Sequence, residues 1–206
     1  CRIQSRPLEG TRWLAKSIFD RCAAAVALVL LSPLFLAIAI AIRHGSKGPV
    51  FFRQQRNGYN QGVIRVYKFR TMTVMEDGPV VQQAKADDRR VTSVGRLLRR
   101  SSLDELPQLI NVLKGEMSLV GPRPHAVAHN RQYGAVIDHY ASRHRVKPGI
   151  TGWAQVNGFR GETKDAAQMR ARVEHDLYYI ENHSLLLDLK IMLMTVVTVV
   201  SGTNAH

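Results

Sequence analysis

The stretch that decides the fold runs from Cys22 to Ile42, CAAAVALVLLSPLFLAIAIAI, 21 residues without a charge. As one straight helix it would span about 31 Å at ~1.5 Å per residue, enough to cross a bilayer core. It is longer than a signal-peptide core, which argues against a targeting segment. Ser32-Pro33 interrupts it near the middle. Proline removes a helical hydrogen bond and frees the carbonyl four residues back, that of Val29. A neighbouring serine hydroxyl can satisfy that carbonyl, so the break is tolerable in lipid. Lys16 and Arg21 precede the run; Arg43, Lys47, Arg53 and Arg56 follow it. Cations at both ends favour keeping both ends on the cytoplasmic side. A helix that enters, bends at Ser32-Pro33 and returns satisfies both observations. A kinked spanning helix also tolerates the proline. A buried core helix is the weaker third reading, because the run is apolar on every face.

A second apolar stretch, Leu185 to Val200, is broken only by Asp188 and Lys190. Its uncharged part, Ile191 to Thr203, has the length of an interfacial or a buried helix, and the two are not separable by pattern. The chain has 206 residues, a net charge of +13 and a pI near 10.3. That length makes one domain with a real core, and that charge calls for an anionic partner: nucleic acid, nucleotide or an anionic membrane face. Cys1 and Cys22 are the only cysteines, and Cys22 sits in the apolar run, so no disulfide framework is expected. The start at Cys1 rather than Met leads us to expect a piece of a longer protein.

Between the apolar stretches, Pro49 to Met72 reads as a strand and hairpin region. Asn57-Gly58 and Gln61-Gly62 supply turn chemistry, and Val63 to Tyr67 is β-rich. Glu76 to Asp88 is polar and aperiodic and reads as a mobile loop. Thr92 to Arg100 reads as a short basic helix. Leu106, Leu109, Ile110 and Leu113 repeat at helical spacing, with Pro107 in a first turn, so a helix is expected to begin near Asp104. Met169, Val173, Leu177 and Ile180 mark an amphipathic helix from about Lys164 to Asn182. Pro148 to Gly158 reads as a turn, a short strand and another turn, with Trp153 as a packing or anchoring residue. No phosphate-binding loop, dinucleotide fingerprint, CxxC pair or HExxH occurs. His125, His129, His139 and His144 read as surface or loop residues rather than a metal cluster.

The candidate chemistry lies at Asp104-Glu105. From Arg89 to Arg123 the cations are Arg89, Arg90, Arg96, Arg99, Arg100, Lys114 and Arg123, and the only other acid is Glu116. A carboxylate pair in that setting fits a site that holds phosphate and a metal ion, or one that uses a carboxylate as nucleophile. Ser102-Leu103-Asp104-Glu105 also matches a capping box, whose acids complement a helix dipole. The two readings are compatible, because a helix N-terminus favours an ionised carboxylate. Further on, two prolines fix the backbone on either side of Arg123 in Gly121-Pro122-Arg123-Pro124. That presents a guanidinium at low entropic cost, for phosphate or simply for solvent.

Assembled, these segments resemble the bacterial sugar transferase family, the monotopic phosphoglycosyl transferases. The likeness runs from Lys16 to Thr198 through Lys16–Asp20, Ser32-Pro33, Tyr67–Met72, Ser102–Gln108, Gly121–Pro124 and Lys147–Gly152. Ser17 departs from a position that is often basic in the family, though Lys16 and Arg21 keep the region basic. The resemblance implies an α+β, mostly helical monotopic membrane protein with a re-entrant Ser-Pro-kinked helix, a small β-hairpin region and interfacial amphipathic helices. It implies one catalytic domain over residues 1–206, with about 17–43 re-entrant and 44–206 on the cytosolic face of the bacterial inner membrane. The implied reaction moves a sugar-1-phosphate from a UDP-sugar to undecaprenyl phosphate and releases UMP, with Mg²⁺ and a covalent phosphosugar-aspartate intermediate, as the first membrane step of exopolysaccharide synthesis. Asp104 would be the nucleophile and Glu105 the Mg²⁺ ligand. Lys68, Arg99 and Arg123 match basic substrate-binding positions, and Ser32 and Pro33 the membrane kink. Gly158-Phe159-Arg160-Gly161-Glu162-Thr163 and Arg172 to Leu177 look like the glucosyl-1-phosphate branch. Galactose or an N-acetylhexosamine stays open as the donor sugar, and so does an oligomer. A non-catalytic basic module on the membrane surface is the competing class. It needs none of the ordered neutral motifs, and nucleic acid is not expected as a partner.

Overall fold

The computed structural model describes residues 11–73, 88–125, 133–134, 136–161 and 165–200. The apolar run folds as two helices, α1 (Thr11–Leu30) and α2 (Ser32–Gly45), bent by 62° across Leu31. The cause is the one expected: Ser32 Oγ donates to the Val29 carbonyl at 2.8 Å, replacing the bond that Pro33 removes. No single helix among the described residues is long and apolar enough to cross a membrane; α1 and α2 pass that test only as a bent pair. Both expose large apolar side chains, Ile18, Val26, Val29, Leu30, Leu36 and Ile40 among them.

The hairpin follows. β1 (Phe51–Asn57) pairs antiparallel with β2 (Val63–Phe69) in a register that sets Phe51 against Phe69 and Asn57 against Val63. Its turn closes through Gly58 N–H to the Gly62 carbonyl at 2.7 Å, with Asn60 and Gln61 taking the positive φ values. Then come α3 (Ser93–Ser101), capped by Thr92 Oγ1, and α4 (Gln108–Lys114). β3 (Ser118–Val120) and β4 (Gly149–Thr151) pair in parallel. α5 (Trp153–Val156) is a single turn, and α6 (Ala166–Glu181) and α7 (Leu185–Val200) follow it. The described residues are mostly helical, with two small two-stranded sheets. Most of the expected loop at Glu76 to Asp88, the proposed helix start at Lys164, and His129 lie outside the described residues.

Asn111, fully buried on α4, locks the helix to the hairpin. Its side chain accepts from the Tyr67 N–H at 3.0 Å and donates to the Arg65 carbonyl at 2.7 Å. Ala24, Val66, Leu109, Val112 and Met117 form the adjoining core, so α1, β2 and α4 share one apolar centre. Burying each of the larger side chains contributes about 1.5–3 kcal/mol.

α1 buries a charge the sequence reading assigned to a membrane flank. Lys16 is not an exposed flanking cation: its ammonium lies 2.7 Å from Asp188 Oδ2 on α7 and 3.5 Å from Asp20, and both partners are buried. Asp20 in turn accepts from Ser118 Oγ at 2.6 Å, and Tyr179 on α6 donates to Asp188 Oδ1 at 2.7 Å. One buried polar cluster therefore pins α1, β3, α6 and α7 together.

Candidate active site

Three loops converge on Asp104-Glu105. The first leaves β2, and each residue of its Lys68–Thr71 segment but Phe69 has a polar task. Lys68 Nζ reaches Glu105 Oε1 at 2.7 Å. Arg70, 3 % exposed, donates to the Ser46 and Lys47 carbonyls and ties the segment to the end of α2. Thr71 Oγ1 accepts from Arg99 Nε at 2.9 Å. Gly95 permits this approach, since a Cβ there would lie 2.1 Å from the Thr71 carbonyl oxygen. Phe69 packs in the core with Ile38, Ile42 and Leu98.

The second element is the carboxylate turn, and here the sequence expectation needs correction. No capping box forms and no α-helix starts at Asp104. Leu103–Glu105 is a 3-10 turn, and α4 begins only at Gln108. Ser102 adopts a left-handed backbone, φ 57°, which ends α3, and its hydroxyl accepts from Arg160 rather than from a helix N–H. Bonds of the tighter i→i+3 type run from Leu103 to Ile110, with Pro107 supplying a carbonyl and no donor.

The third element carries Arg123. Parallel pairing of β3 with β4 continues into Gly121 N–H to the Thr151 carbonyl and Gly149 N–H to the Pro122 carbonyl, at 2.9 and 3.0 Å. A Cβ on Gly149 would stand 2.1 Å from Gly121 N, so the close approach requires glycine. Arg123 then grips Glu105 with both ends of its fork, at 2.8 Å to Oε2 and 2.5 Å to Oε1. It is a paired arginine, not a solvated one.

The two carboxylates therefore differ. Glu105 is held by Lys68 and Arg123. Asp104 is 9 % exposed, and no described residue hydrogen-bonds its carboxylate. Burial pushes Asp104 up to about 6, opposed by Lys68, helped by the Glu105 charge, and opposed further by Arg123 and Arg99. Burial also disfavours ionised Glu105, but Arg123 and Lys68 overcome it and hold that carboxyl well below its ordinary value. The expectation that a helix terminus keeps Asp104 readily ionised fails, because there is no α-helix terminus there and desolvation dominates. Lys68, Arg99 and Arg123 lie near enough to one another that all three bear on the charge of Asp104.

Sequence reasoning missed the support behind Arg123. Arg143 donates to the Arg123 carbonyl at 2.8 Å and is itself paired with Asp176 on α6 at 2.6 Å, both fully desolvated. His125 Nδ1 lies 2.5 Å from Arg143 and 2.7 Å from the Tyr140 hydroxyl. Burial, then the charge of Arg143, keeps that imidazole neutral, so Nδ1 accepts. His125 and His144 are buried, not surface residues, and no group of three metal-ligating side chains occurs among the described residues. Arg160 was visible in the sequence only as part of a segment likeness; it lies close enough to Asp104 and Glu105 for their charges to act on it.

Comparison with known proteins bears on this arrangement. The chain is 56% identical over 194 residues to a protein of Escherichia coli (strain K12) named UDP-glucose:undecaprenyl-phosphate glucose-1-phosphate transferase, covering 94% of this chain and 42% of that protein. A protein of the same name from Xanthomonas campestris pv. campestris is 53% identical, covering 94% and 40%. One from Aeromonas hydrophila, named UDP-N-acetylgalactosamine-undecaprenyl-phosphate N-acetylgalactosaminephosphotransferase, is 46% identical, covering 91% and 44%. The chain spans about two fifths of the length of these relatives. The profile described as bacterial sugar transferase matches residues 11–202, from the start of α1 past the end of α7, and so takes in every element that builds the carboxylate site. By that match, and by relatives more than half identical over nearly its whole length, the chain belongs to the bacterial sugar transferase family.

Proposed function

We propose that the protein transfers a sugar-1-phosphate, in the first place glucose-1-phosphate, from a UDP-sugar to undecaprenyl phosphate. The observation that carries the reading is the division within the carboxylate pair. Glu105 is locked by two cations, while Asp104 sits beside cations, has no hydrogen bond to any described residue and is 9 % exposed. An Asp104 oxygen attacks the sugar-side phosphorus. The bridging P–O bond breaks, and its electron pair leaves with UMP. An oxygen of the lipid phosphate then attacks the same phosphorus and releases Asp104, giving the lipid diphosphate sugar. Lys68, Arg99 and Arg123 lower the repulsion between carboxylate and diphosphate and stabilise charge on the departing UMP.

The donor set fits Mg²⁺ of one kind only. Three of the four lone-pair directions of Glu105 are taken by Lys68 and Arg123, so one is left, with Asp104 beside it. Mg²⁺ is commonly held by one or two carboxylates plus substrate phosphates, and not by a protein cage. Glu105 would hold it together with the diphosphate. When bound, the ion would neutralise phosphate charge during transfer.

The bent α1–α2 pair supports a re-entrant helix at the cytoplasmic face of the bacterial inner membrane. So do the exposed apolar side chains of both helices and of α7, among them Leu186, Leu193, Val196 and Val197. Large apolar side chains exposed together on three helices fit a lipid-facing surface. Cysteines placed at the exposed Arg12 and Lys47 should both label from the cytoplasmic side; labelling from opposite sides would mean a spanning helix. Lys16 is unsuitable for this because it is buried.

Donor sugar is tested by UMP release from a panel of UDP-sugars with polyprenyl phosphate and Mg²⁺. UDP-glucose should be turned over fastest. Preference for UDP-N-acetylgalactosamine would move the protein to the chemistry named for the Aeromonas relative. Since Asp104 attacks only when ionised, the first half-reaction should lose rate as pH falls through about 6, nearly tenfold per unit below it. Glu105 stays ionised across that range. A flat profile from pH 7 to 5 would contradict Asp104 as the attacking group.

A further inference from the structure

A cavity of about 180 Å³ shares no lining residue with the Asp104-Glu105 site. Its walls include Trp13, Ser17, Asp20 and Arg21 from α1, Tyr59 from the hairpin turn and Lys147 before β4. Lys16, Arg21, Arg145 and Lys147 are its cations, and Asp20 is the one acid among its lining residues. Neither Arg21 nor Lys147 forms an ion pair with a described residue, whereas Lys16 in the same wall is neutralised by Asp188 and Asp20. Burial, and then the charge of Arg21, hold the Lys147 ammonium below its ordinary pKa, so each cation adds to the cost of the other. Gly115 makes room for the guanidinium: a Cβ there would lie 2.3 Å from Arg21 Nη2. The same cavity contains an orphaned acceptor. Asp20 is 5 % exposed, and while its Oδ2 accepts from Ser118, its Oδ1 is buried with no partner. A buried oxygen left without a donor is destabilising. Finally, the Lys147 ammonium sits 5.2 Å over the Trp13 ring, and Trp13, Leu14 and Ile18 expose an apolar flank of α1 beside it. Tryptophan and basic side chains at one level are the usual furniture of a membrane–water interface.

We propose that this cavity binds the head of a membrane phospholipid, the phosphate between Arg21 and Lys147 and a headgroup hydroxyl or ammonium donating to Asp20 Oδ1. The acyl chains then lie on the Trp13, Leu14 and Ile18 flank. An inorganic anion satisfies the cations but not Asp20; a headgroup with both a phosphodiester and a donor satisfies all three. The site rests on membrane contact by α1 and is independent of the transfer chemistry at Asp104, so either can fail alone.

The test uses the full chain in nanodiscs of phosphatidylcholine, whose head has no N–H or O–H donor, or with phosphatidylglycerol added, whose head has two hydroxyls. An amine-acylating reagent is applied, and modification of Lys147 is read by peptide mass spectrometry relative to Lys47, which corrects for surface charge. Phosphatidylglycerol should protect Lys147 about fivefold relative to Lys47. Glycerol 3-phosphate added to phosphatidylcholine discs should not. Arg21→Gln should reduce the protection to less than about twofold, and Arg12→Gln should leave it unchanged. The first comparison needs no variant, so it stands even if Arg21→Gln folds poorly. Equal Lys147 reactivity in the two discs overturns the proposal. So does protection by soluble glycerol phosphate equal to that by the lipid, or full protection in a folded Arg21→Gln.

Discussion

Asp104→Asn is expected to abolish release of UMP from UDP-glucose, by roughly 10³-fold or more, because a covalent route has no second nucleophile to fall back on. The substitution keeps the shape of the side chain and disturbs no hydrogen bond, since no described residue bonds that carboxylate. The loss therefore reports chemistry, not folding. Glu105→Gln should behave differently. It leaves the nucleophile but removes the charge that fixes Lys68 and Arg123, so a fall of about 10²–10³ is expected, as for loss of one electrostatic stabiliser. It also removes the neighbouring negative charge that helps push Asp104 up. The acid limb of the residual activity should then move to lower pH. Both rates are read in one UMP-release assay; near-normal turnover in Asp104→Asn would end the covalent account.

The second large effect is on stability. Asp188→Ala should destabilise the protein by about 3–5 kcal/mol, because it takes the 2.7 Å partner from the buried Lys16 ammonium and leaves only Asp20 at 3.5 Å. For a chain of this size that is a Tm lowered by roughly 6–20 °C. An exposed pair would contribute about 1 kcal/mol or less. The buried geometry decides between the two: a 2.7 Å contact, with both side chains under 10 % exposed. Lys16→Met with Asp188→Leu should restore only part of the loss, since Asp20 then stays buried without its cation. Thermal unfolding in detergent measures both. A single variant within about 2 °C of the parent would show that α1 is not held by this pair.

Local chemistry was legible in the sequence where it depended on neighbours. The Ser32 hydroxyl caps the Val29 carbonyl as the Ser-Pro pair dictates, and the hairpin forms where the β-rich run and the turn glycines announced it. Ser102 shows the limit of such reading. The letters of a capping box were present, but tertiary contacts decided the backbone: Gly95 packs α3 against Thr71, Arg160 takes the Ser102 hydroxyl, and α4 starts four residues late. Partners distant in sequence carried no local signal at all. Lys16 and Asp188 are 172 positions apart, and Arg143 meets Asp176 only because the 3-10 turn Tyr140–Arg145 packs on α6. The basic residues of the site were recognisable as a set. Their geometry was not, since it depends on β3 and β4 lying glycine to glycine.

The proposed mechanism puts the phosphosugar on Asp104 and not on Glu105. It is tested most directly by incubating the protein with UDP-glucose and Mg²⁺ without lipid acceptor, quenching in acid, and mapping the mass increase of a hexose phosphate by peptide sequencing. The account predicts the adduct on Asp104, its absence in Asp104→Asn, and its discharge when polyprenyl phosphate is added. An adduct on Glu105, or UMP released on mixing with the lipid while no adduct forms at any stage, would contradict it.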